Sequence, residues 1–284
     1  MRIPIGKANA SIGHSFWRLT ARHATIAHSK LPITIFKEMS MGNRLAGQRI
    51  VVVGGSSGMG LAVSAQLLRR HCEVLIVGRS RDKLDAAREA LRAFGAPRLH
   101  QVDVTSEAQV QRLFEESGPV DHLVCTAADI RGAYELLPQL SLDALDRAIR
   151  SKVVAPILLA KHGAQRMPAH GSITLTSGIA AYRPRPKGVA AAAINAALEG
   201  VVRAMAVELA PLRVNAVSPG WVRTPIWKDV AGADSEPLLA SMAEQLPVGR
   251  VGTGDDIADA IVFLLGNGYT TGTVLHVDGG HRLV

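Results

Sequence analysis

Cysteine is scarce in this chain, and no pair of cysteines is spaced for a disulfide framework or a zinc site. Only Cys72 and Cys125 occur among 284 residues, and they do not form a C-x-x-C motif. This usage fits a reducing compartment, so we expect a cytoplasmic protein with no structural metal. An uninterrupted apolar run of about 20 residues, the length needed to cross a bilayer, is also missing, and we expect no membrane partner.

Acidic residues are almost absent from the N-terminal segment, which changes the meaning of the net charge of +8. Six of these eight positive charges belong to residues 1–44, which hold one acid, Glu38, and seven basic residues: Arg2, Lys7, Arg18, Arg22, Lys30, Lys37 and Arg44. The rest of the chain is only slightly basic. Nucleic-acid binding therefore has little support.

Residues 1–43 show no strand or helix periodicity and are rich in Ser, Thr, Arg and His. They could be a transit-type presequence, a disordered tail, or a segment upstream of a true start at Met39 or Met41. We favour the last two interpretations together. The folded domain is predicted to cover residues 44–284.

From Leu45 onward, short β-branched runs alternate with helical stretches, and we find no internal repeat. Strands separated by helices are typical of βαβ units, and strands this apolar are buried on both faces. We predict a single-domain α/β protein with a doubly wound parallel sheet, the Rossmann fold, and strands at 49–55, 73–78, 98–103, 121–127, 172–177, 213–218 and 273–277. One long helix is expected over 141–167, and residues 226–247 are expected to form a helical lid over the substrate.

The first strand is followed by a glycine-rich loop, VGGSSGMG, with Gly54, Gly58 and Gly60 in a G-x-x-x-G-x-G spacing. Glycine allows a tight turn, close approach of backbone to a pyrophosphate, and close packing of helix on strand. A purely structural turn is the alternative. The strand before the loop and the helix after it favour dinucleotide binding.

The second strand ends in Gly78-Arg79-Ser80, which bears on the choice of cofactor. NAD sites usually place a carboxylate here for the ribose hydroxyls, whereas a guanidinium can hold the 2′-phosphate of NADP. We predict NADP rather than NAD. The alternative is that Arg79 is a solvated residue flanking the next helix. Asp103 and Val104, at the end of the third strand, are expected near the adenine.

Taken in order, these features resemble the short-chain dehydrogenase/reductase family over Leu45–Val284. The matching motifs are the GGSSGMG loop, Asp103-Val104, the GSITLTS strand, VNAVSPGWVRTP and GTVLHVDGG. The resemblance implies a homodimer or homotetramer that binds NAD(P) at the carboxyl edge of the sheet, with Val222 and Thr224 against the nicotinamide carboxamide. The expected cofactor-binding residues are Gly54, Ser56, Ser57, Gly58, Met59, Gly60, Arg79, Ser80, Asp103, Val104, Thr126, Ala127, Ala128, Pro219, Gly220, Val222 and Thr224.

Two short segments depart from the family pattern. The motif N-N-A-G after the fourth strand is replaced by Cys125-Thr126-Ala127-Ala128, and Val53 stands where Thr is common. The residues remain small enough for a close cofactor. These changes affect the support of the site rather than the fold.

In the family, a Ser, a Tyr, a Lys and an Asn carry the chemistry, and Ser177 matches the Ser. The position of the Asn holds Lys152, and the position of the Lys holds Asn195. This exchange resembles the ketoreductase domains of polyketide and fatty-acid synthases, and it implies an ammonium entering the same cavity from the other wall. The alternative is that Lys152 is an ordinary surface lysine.

The tyrosine is missing, because its position holds Ala191, which can donate no proton. Tyr182 in the loop SGIAAYRPRPKG is the nearest phenol and is one candidate acid. It could equally pack the loop against the lid. Lys152 and an ordered water are the other two candidates.

The same loop carries Arg183, Arg185 and Lys187 between prolines. These charges suit an anionic substrate such as a carboxylate or a coenzyme A thioester, although a solvated charge run is the more usual explanation. Trp221 and Trp227 are expected to line an apolar substrate pocket.

The sequence therefore predicts an NADP(H)-dependent oxidoreductase that interconverts a carbonyl and an alcohol of a small molecule, with Ser177, Lys152, Asn195 and Tyr182 as its catalytic residues. The alternative is a catalytically silent NADP(H)-binding sensor or structural homologue. Both hypotheses share the cofactor-binding loop, and they differ only in whether the catalytic residues support turnover.

Overall fold

The computed structural model describes residues 44–284; the predicted 1–43 leader lies outside them. Seven parallel strands form one sheet in the order β3-β2-β1-β4-β5-β6-β7. The strands are β1 (Arg49–Val53), β2 (Glu73–Gly78), β3 (Arg98–Gln101), β4 (His122–Cys125), β5 (Ser172–Thr176), β6 (Arg213–Pro219) and β7 (Val274–Val277). The strand order reverses between β1 and β4, so a cleft opens there at the carboxyl edge.

The helices are α1 (Gly58–Arg69), α2 (Arg81–Leu91), α3 (Glu107–Ser117), α4 (Leu142–Ile149), α5 (Ala155–Gly163), α6 (Val189–Glu208), α7 (Ile226–Ala231), α8 (Ser235–Gln245) and α9 (Gly254–Gly266). Helices α3, α5 and α6 cover one face of the sheet with buried residues such as Phe114, Leu159 and Val202. Helices α1, α2 and α9 cover the other face. The predicted doubly wound α/β fold is confirmed.

The single long helix expected over 141–167 is wrong. Helix α4 ends at Ile149, Arg150–Val154 form a π-helical turn, and α5 begins at Ala155. The turn is closed by a hydrogen bond between residues five apart, which the Ala155 amide donates to the Arg150 carbonyl oxygen. Pro156 explains the break, because it lacks the N–H that would bond to the Lys152 carbonyl oxygen in a continuous α-helix.

Helix α6 has the length and composition of a membrane span, with 20 residues and a hydropathy of 1.4. Its residues Leu198, Val202 and Met205 are buried in the core beneath the sheet. The apolar character of α6 therefore serves packing between the sheet and its neighbouring helices.

Residues 226–247, expected to form a helical lid, contain the helices α7 and α8, and their covering of a substrate stays a prediction. Leu239, Met242 and Leu246 of this segment and Val251 form a small separate core, against which Trp221 and Trp227 pack. The segment therefore has its own apolar support.

The loop between β1 and α1 depends on the absence of a side chain at Gly60. A Cβ atom there would overlap the Gly54 carbonyl oxygen and stand 2.6 Å from Thr126 Oγ1. We expect Gly60→Ala to lower the free energy of unfolding by more than about 3 kcal/mol, measured by urea denaturation, because backbone must move.

Gly200→Ala is the matched control, since a Cβ at that position of α6 meets no atom within 4 Å. It should raise stability by up to about 1 kcal/mol through helix propensity. Equal effects of the two substitutions would contradict the close packing of the loop.

Candidate active site

A cavity of about 300 Å³ lies at the carboxyl edge, at the N-terminus of α1. It is lined by residues of the loops after β1, β2, β3 and β4. Fourteen of the predicted cofactor residues are among them: Gly54, Ser56, Ser57, Gly58, Met59, Gly60, Arg79, Ser80, Asp103, Val104, Thr126, Ala127, Ala128 and Thr224.

The N-terminus of α1 is open to this cavity. Ser57, the residue that caps the helix, makes no side-chain capping bond, and no acid occurs in the first turn. The first amide N–H groups of a helix have no intrahelical acceptor and carry partial positive charge. Gly54 and Gly58 have φ values of +83° and +52°, which glycine alone adopts readily. These residues fit the pyrophosphate of a dinucleotide.

Thr126 stands in place of an asparagine of the family motif, and its side chain supports the same loop. Its hydroxyl donates to the Val53 carbonyl oxygen at 3.2 Å, which joins the end of β4 to the end of β1. The departure from N-N-A-G therefore leaves the loop anchored by a side-chain hydrogen bond.

Arg79 lines the cavity but is not alone there. Its guanidinium donates to Asp129 at 3.0 Å, and Arg131 binds the same carboxylate at 2.6 and 2.9 Å. Hydrogen bonds from Arg131 and Arg79 hold the pKa of Asp129 well below its usual range, against the effect of burial. The pairing of Arg79 across fifty residues was missed from the sequence, although Asp129 follows the small-residue segment directly.

A second cavity, of about 510 Å³, adjoins the first, and both are lined by Met59, Thr126, Ala128, Thr224 and Ile226. Three predicted catalytic residues, Ser177, Lys152 and Asn195, line the second cavity. So do Ala191 and the remaining predicted cofactor residues, Pro219, Gly220 and Val222. The structure thus brings the exchanged lysine and asparagine to one cavity.

Lys152 is almost completely buried, with 8% of its surface exposed. It projects from the π-helical turn, and its ammonium donates to the Ser177 carbonyl oxygen at 3.2 Å. Burial lowers the pKa of Lys152 to about 8. An ammonium with this pKa is charged at neutral pH and loses its proton more readily than a surface lysine.

Tyr182 does not reach this cavity. Its hydroxyl donates to Glu199 Oε2 at 2.5 Å, and its ring meets the His276 ring edge-on at 4.6 Å. Tyr182 lines a different cavity with Arg183, Arg185 and the C-terminal residues. Burial, followed by the bond to Glu199, raises the pKa of Tyr182 to about 12.

Glu199 also holds Ser177, whose hydroxyl donates to Oε1 at 2.8 Å. Sequence reasoning missed this carboxylate. One signal was available, because Glu199 is an acid in the apolar interior of α6, four residues after Asn195 and thus on the same helical face.

The outer part of the second cavity is aromatic and basic. The Trp221 and Trp227 rings stack with centroids 4.4 Å apart, and the Arg185 guanidinium lies 5.7 Å from the Trp221 centroid. Arg183, Arg185 and Lys187 all line the cavity. Its one lining carboxylate, Glu135, is 4.0 Å from Lys187. Within residues 44–284, no cluster of three or more His, Cys, Asp or Glu is placed to hold a metal ion.

Comparison with known proteins gives consistent matches across the domain. Residues 53–282 match the family model described as enoyl-(acyl carrier protein) reductase. The short-chain dehydrogenase/reductase ATR9 of Stachybotrys chlorohalonatus is 32% identical, over 83% of this chain and 97% of that protein. The cis-4-hydroxycyclohexanecarboxylate dehydrogenase of Sinomonas cyclohexanicum is 33% identical, over 86% and 100%.

Solved structures match as well. The crystal structure of a small-chain dehydrogenase in complex with NADPH is 36% identical, with a TM-score of 0.71 over 84% of this chain and 100% of that chain. At this identity, the likeness extends beyond the fold to a common family.

The burial of the Lys152 ammonium predicts an unusual dependence of stability on pH. The folded pKa of about 8 lies below the model-compound value of 10.5, so the unfolded chain binds the proton more tightly between these values. The charge therefore destabilises the fold below pH 8, and this cost disappears as pH rises above 10.5. At pH 7 it is of the order of 3 kcal/mol, since one pKa unit is about 1.4 kcal/mol.

We expect Lys152→Met to be more stable than the wild type at pH 7, by about 1–2 kcal/mol after the loss of one hydrogen bond. The advantage should shrink steadily between pH 8 and 10.5 in urea denaturation series. Lys161→Met is the control, because Lys161 is exposed, and it should show no such trend. A pH-independent difference for Lys152→Met would contradict a buried charge.

Proposed function

Since the chain belongs to the short-chain dehydrogenase/reductase family, we propose that it is an NADP(H)-dependent oxidoreductase that interconverts a carbonyl and an alcohol, with an atypical catalytic set. Ser177, Lys152 and Asn195 form this set, and no tyrosine occupies position 191. The observation that carries the proposal is the meeting of these three residues at a cavity that adjoins the glycine-loop cavity. We further propose that the enzyme acts as a homodimer or homotetramer.

A bound nicotinamide cofactor would supply or accept the hydride. The α1 N-terminus would hold its pyrophosphate, and Val222 and Thr224 would contact the carboxamide. The Arg79 guanidinium lines the cavity at the end of β2, where Gly78 takes the place of the carboxylate that is usual in NAD sites. This cation, together with the NADPH complex of a 36% identical neighbour, supports NADP over NAD.

Lys152 and Ser177 would act on the reacting oxygen from the wall of the cavity. The buried ammonium adds a positive charge where an alkoxide would develop, and a low-dielectric surrounding strengthens that interaction. The same ammonium would hold the ribose hydroxyls of the cofactor. Tyr182 would make no direct contact with the substrate, because its hydroxyl is bound to Glu199 outside this cavity.

A second candidate is a catalytically silent sensor that binds NADP(H). Ala191 favours it, because a methyl group lines the cavity where the family resemblance implies the proton-donating tyrosine. This candidate keeps the cofactor site and lacks turnover.

The outer wall of the cavity suits a substrate with an apolar body and an anionic group. The stacked Trp221 and Trp227 offer an apolar surface, and Arg183 and Arg185 have no carboxylate partner among the described residues. A relative that is 33% identical is named for a hydroxycyclohexane that carries a carboxylate. We therefore propose a carboxylate or a comparable anionic acyl compound as substrate.

The proposal is tested by NADPH fluorescence titration followed by turnover of paired ketones, matched in carbon skeleton, of which one carries a carboxylate. We expect binding, and a kcat/KM about 10-fold or more higher for the carboxylated member, since a charge-assisted hydrogen bond is worth about 1.5–3 kcal/mol. Tight NADPH binding without turnover of any compound would favour the sensor.

The double variant Arg183→Met, Arg185→Met should lose the preference for the carboxylated ketone. Arg112→Met, an exposed position of α3 that lines neither cavity, is the matched control. An unchanged preference in the double variant would remove these arginines from substrate recognition.

Cofactor choice is predicted to depend on Arg79. Arg79→Met should weaken NADPH binding by about 10- to 100-fold and leave NADH almost unchanged, because only the 2′-phosphate loses a partner. Arg81→Met is the control, because Arg81 pairs with Asp85 and does not line the cavity. Equal weakening of both cofactors in fluorescence titrations would overturn the role of Arg79.

A further inference from the structure

Glu199 is a buried carboxylate that the proposed set of catalytic residues does not use. Only 6% of its surface is exposed, and the other acid of α6, Glu208, is exposed at the end of the helix. Each of its oxygens accepts one hydrogen bond, Oε1 from Ser177 and Oε2 from Tyr182. Burying a carboxylate costs free energy, and the hydrogen bonds from two hydroxyl groups offset part of this cost.

Ser177 separates this carboxylate from the substrate cavity. Ser177 lines the cavity, whereas Glu199 does not. A hydroxyl has one hydrogen and two acceptor lone pairs, and both acceptors for the Ser177 hydrogen, Glu199 Oε1 at 2.8 Å and the Asn195 carbonyl oxygen at 3.3 Å, belong to α6. Toward the cavity Ser177 is therefore an acceptor, which suits the O–H group of an alcohol.

The groups around Glu199 come from several elements. Tyr182 and Ser177 belong to the segment after β5, and Lys152 donates to the carbonyl oxygen of Ser177. The charge of Glu199 acts to raise the pKa of His276 of β7, although burial lowers it overall, and the His276 ring contacts the Tyr182 ring. Arg203, one turn further along α6, and Arg282 near the C-terminus act on Tyr182. Asp278 pairs with Arg282 at 2.9 Å and is, with Glu199, a carboxylate that acts on His276.

We propose that Glu199 accepts the substrate proton through Ser177 and so replaces the tyrosine missing at position 191. This inference rests on the proposed oxidoreductase function. Glu199 touches no substrate, so it is a positioning and relay residue. Tyr182, 43% exposed, connects its second oxygen with solvent.

In alcohol oxidation, the substrate O–H bond breaks and its proton goes to Ser177 Oγ. The Ser177 O–H bond breaks at the same time, and that proton goes to Glu199 Oε1. The electron pair of the substrate O–H bond would form the second C–O bond, and a bound oxidised nicotinamide would supply the acceptor for the hydride that leaves the carbon. Carbonyl reduction is the reverse, with the proton leaving Glu199.

The first test compares Glu199→Gln, Glu199→Asp and the control Glu208→Gln in steady-state alcohol oxidation over a range of pH. We expect Glu199→Gln to lower kcat about 10²- to 10³-fold, the usual contribution of a positioned acid–base group, with KM within about threefold. The pH dependence of kcat should change in Glu199→Gln, because the amide cannot take up the proton that the relay delivers. Glu199→Asp should restore at least part of kcat and of the pH dependence.

A second readout needs neither cofactor nor turnover. Tyr182 should ionise more readily in Glu199→Gln, because the negative charge that raises its pKa is gone. The ultraviolet difference spectrum at about pH 11, with Tyr182→Phe as the subtracted reference and circular dichroism to verify folding, measures this.

A third measurement covers the case in which Glu199→Gln does not fold. Infrared difference spectra of the wild type, with ¹³C-labelled glutamate, should show a protonated glutamate appearing in a single turnover of alcohol oxidation. Glu135→Gln, which removes the carboxylate that lines the cavity, should keep that band.

The outcomes separate the two proposals. Wild-type turnover combined with an unchanged kcat and pH profile in Glu199→Gln, or with no glutamate band, overturns the relay alone. A wild type that binds NADPH and turns over no substrate overturns the oxidoreductase function, and the relay with it.

Discussion

All seven strands of the sheet run in the same direction, and every functional feature of the molecule depends on this constraint. Parallel strands send all their following loops to one edge, so the loops after β1, β4, β5 and β6 meet there although they are far apart in sequence. The reversal of strand order between β1 and β4 opens that edge into a cleft. The two adjoining cavities occupy this cleft.

Ser177 lies between two buried charges of opposite sign. The Lys152 ammonium binds its carbonyl oxygen, and the Glu199 carboxylate accepts from its hydroxyl. Each charge is costly to bury, and the serine gives each a hydrogen-bonding partner of the right polarity. This arrangement explains why loss of the tyrosine does not leave the wall of the cavity apolar. It also links the position of the serine backbone to α4–α5 and the position of its hydroxyl to α6.

The parts of this structure that could be predicted from the sequence are those set by local patterns. The strands have a periodic signature and the glycine loop a compositional one, whereas the segment 226–247 is recognised because it interrupts the alternation of strands and helices. The π-helical turn was missed because its cause is the single residue Pro156, which was expected inside a continuous helix. The Arg79–Asp129 pair and the contacts of Glu199 were missed because they join residues that only the tertiary fold brings together. The orientation of the Tyr182 side chain likewise depends on its hydrogen bond to Glu199, a residue of α6 that lies outside the loop of Tyr182.

The π-helical turn at Arg150–Val154 has a further consequence for how this domain can vary. A π turn accommodates one residue more than an α-helical turn, so the faces of α4 and α5 are offset by about one residue, or roughly 100° of rotation. Helix α5 can therefore keep Leu159 against the sheet while the turn before it aims Lys152 into the cavity. The extra residue of the turn separates the orientation of the residues at the cavity wall from the packing of α5. Substitutions at the cavity wall can therefore change its chemistry while α5 keeps the same residues against the sheet.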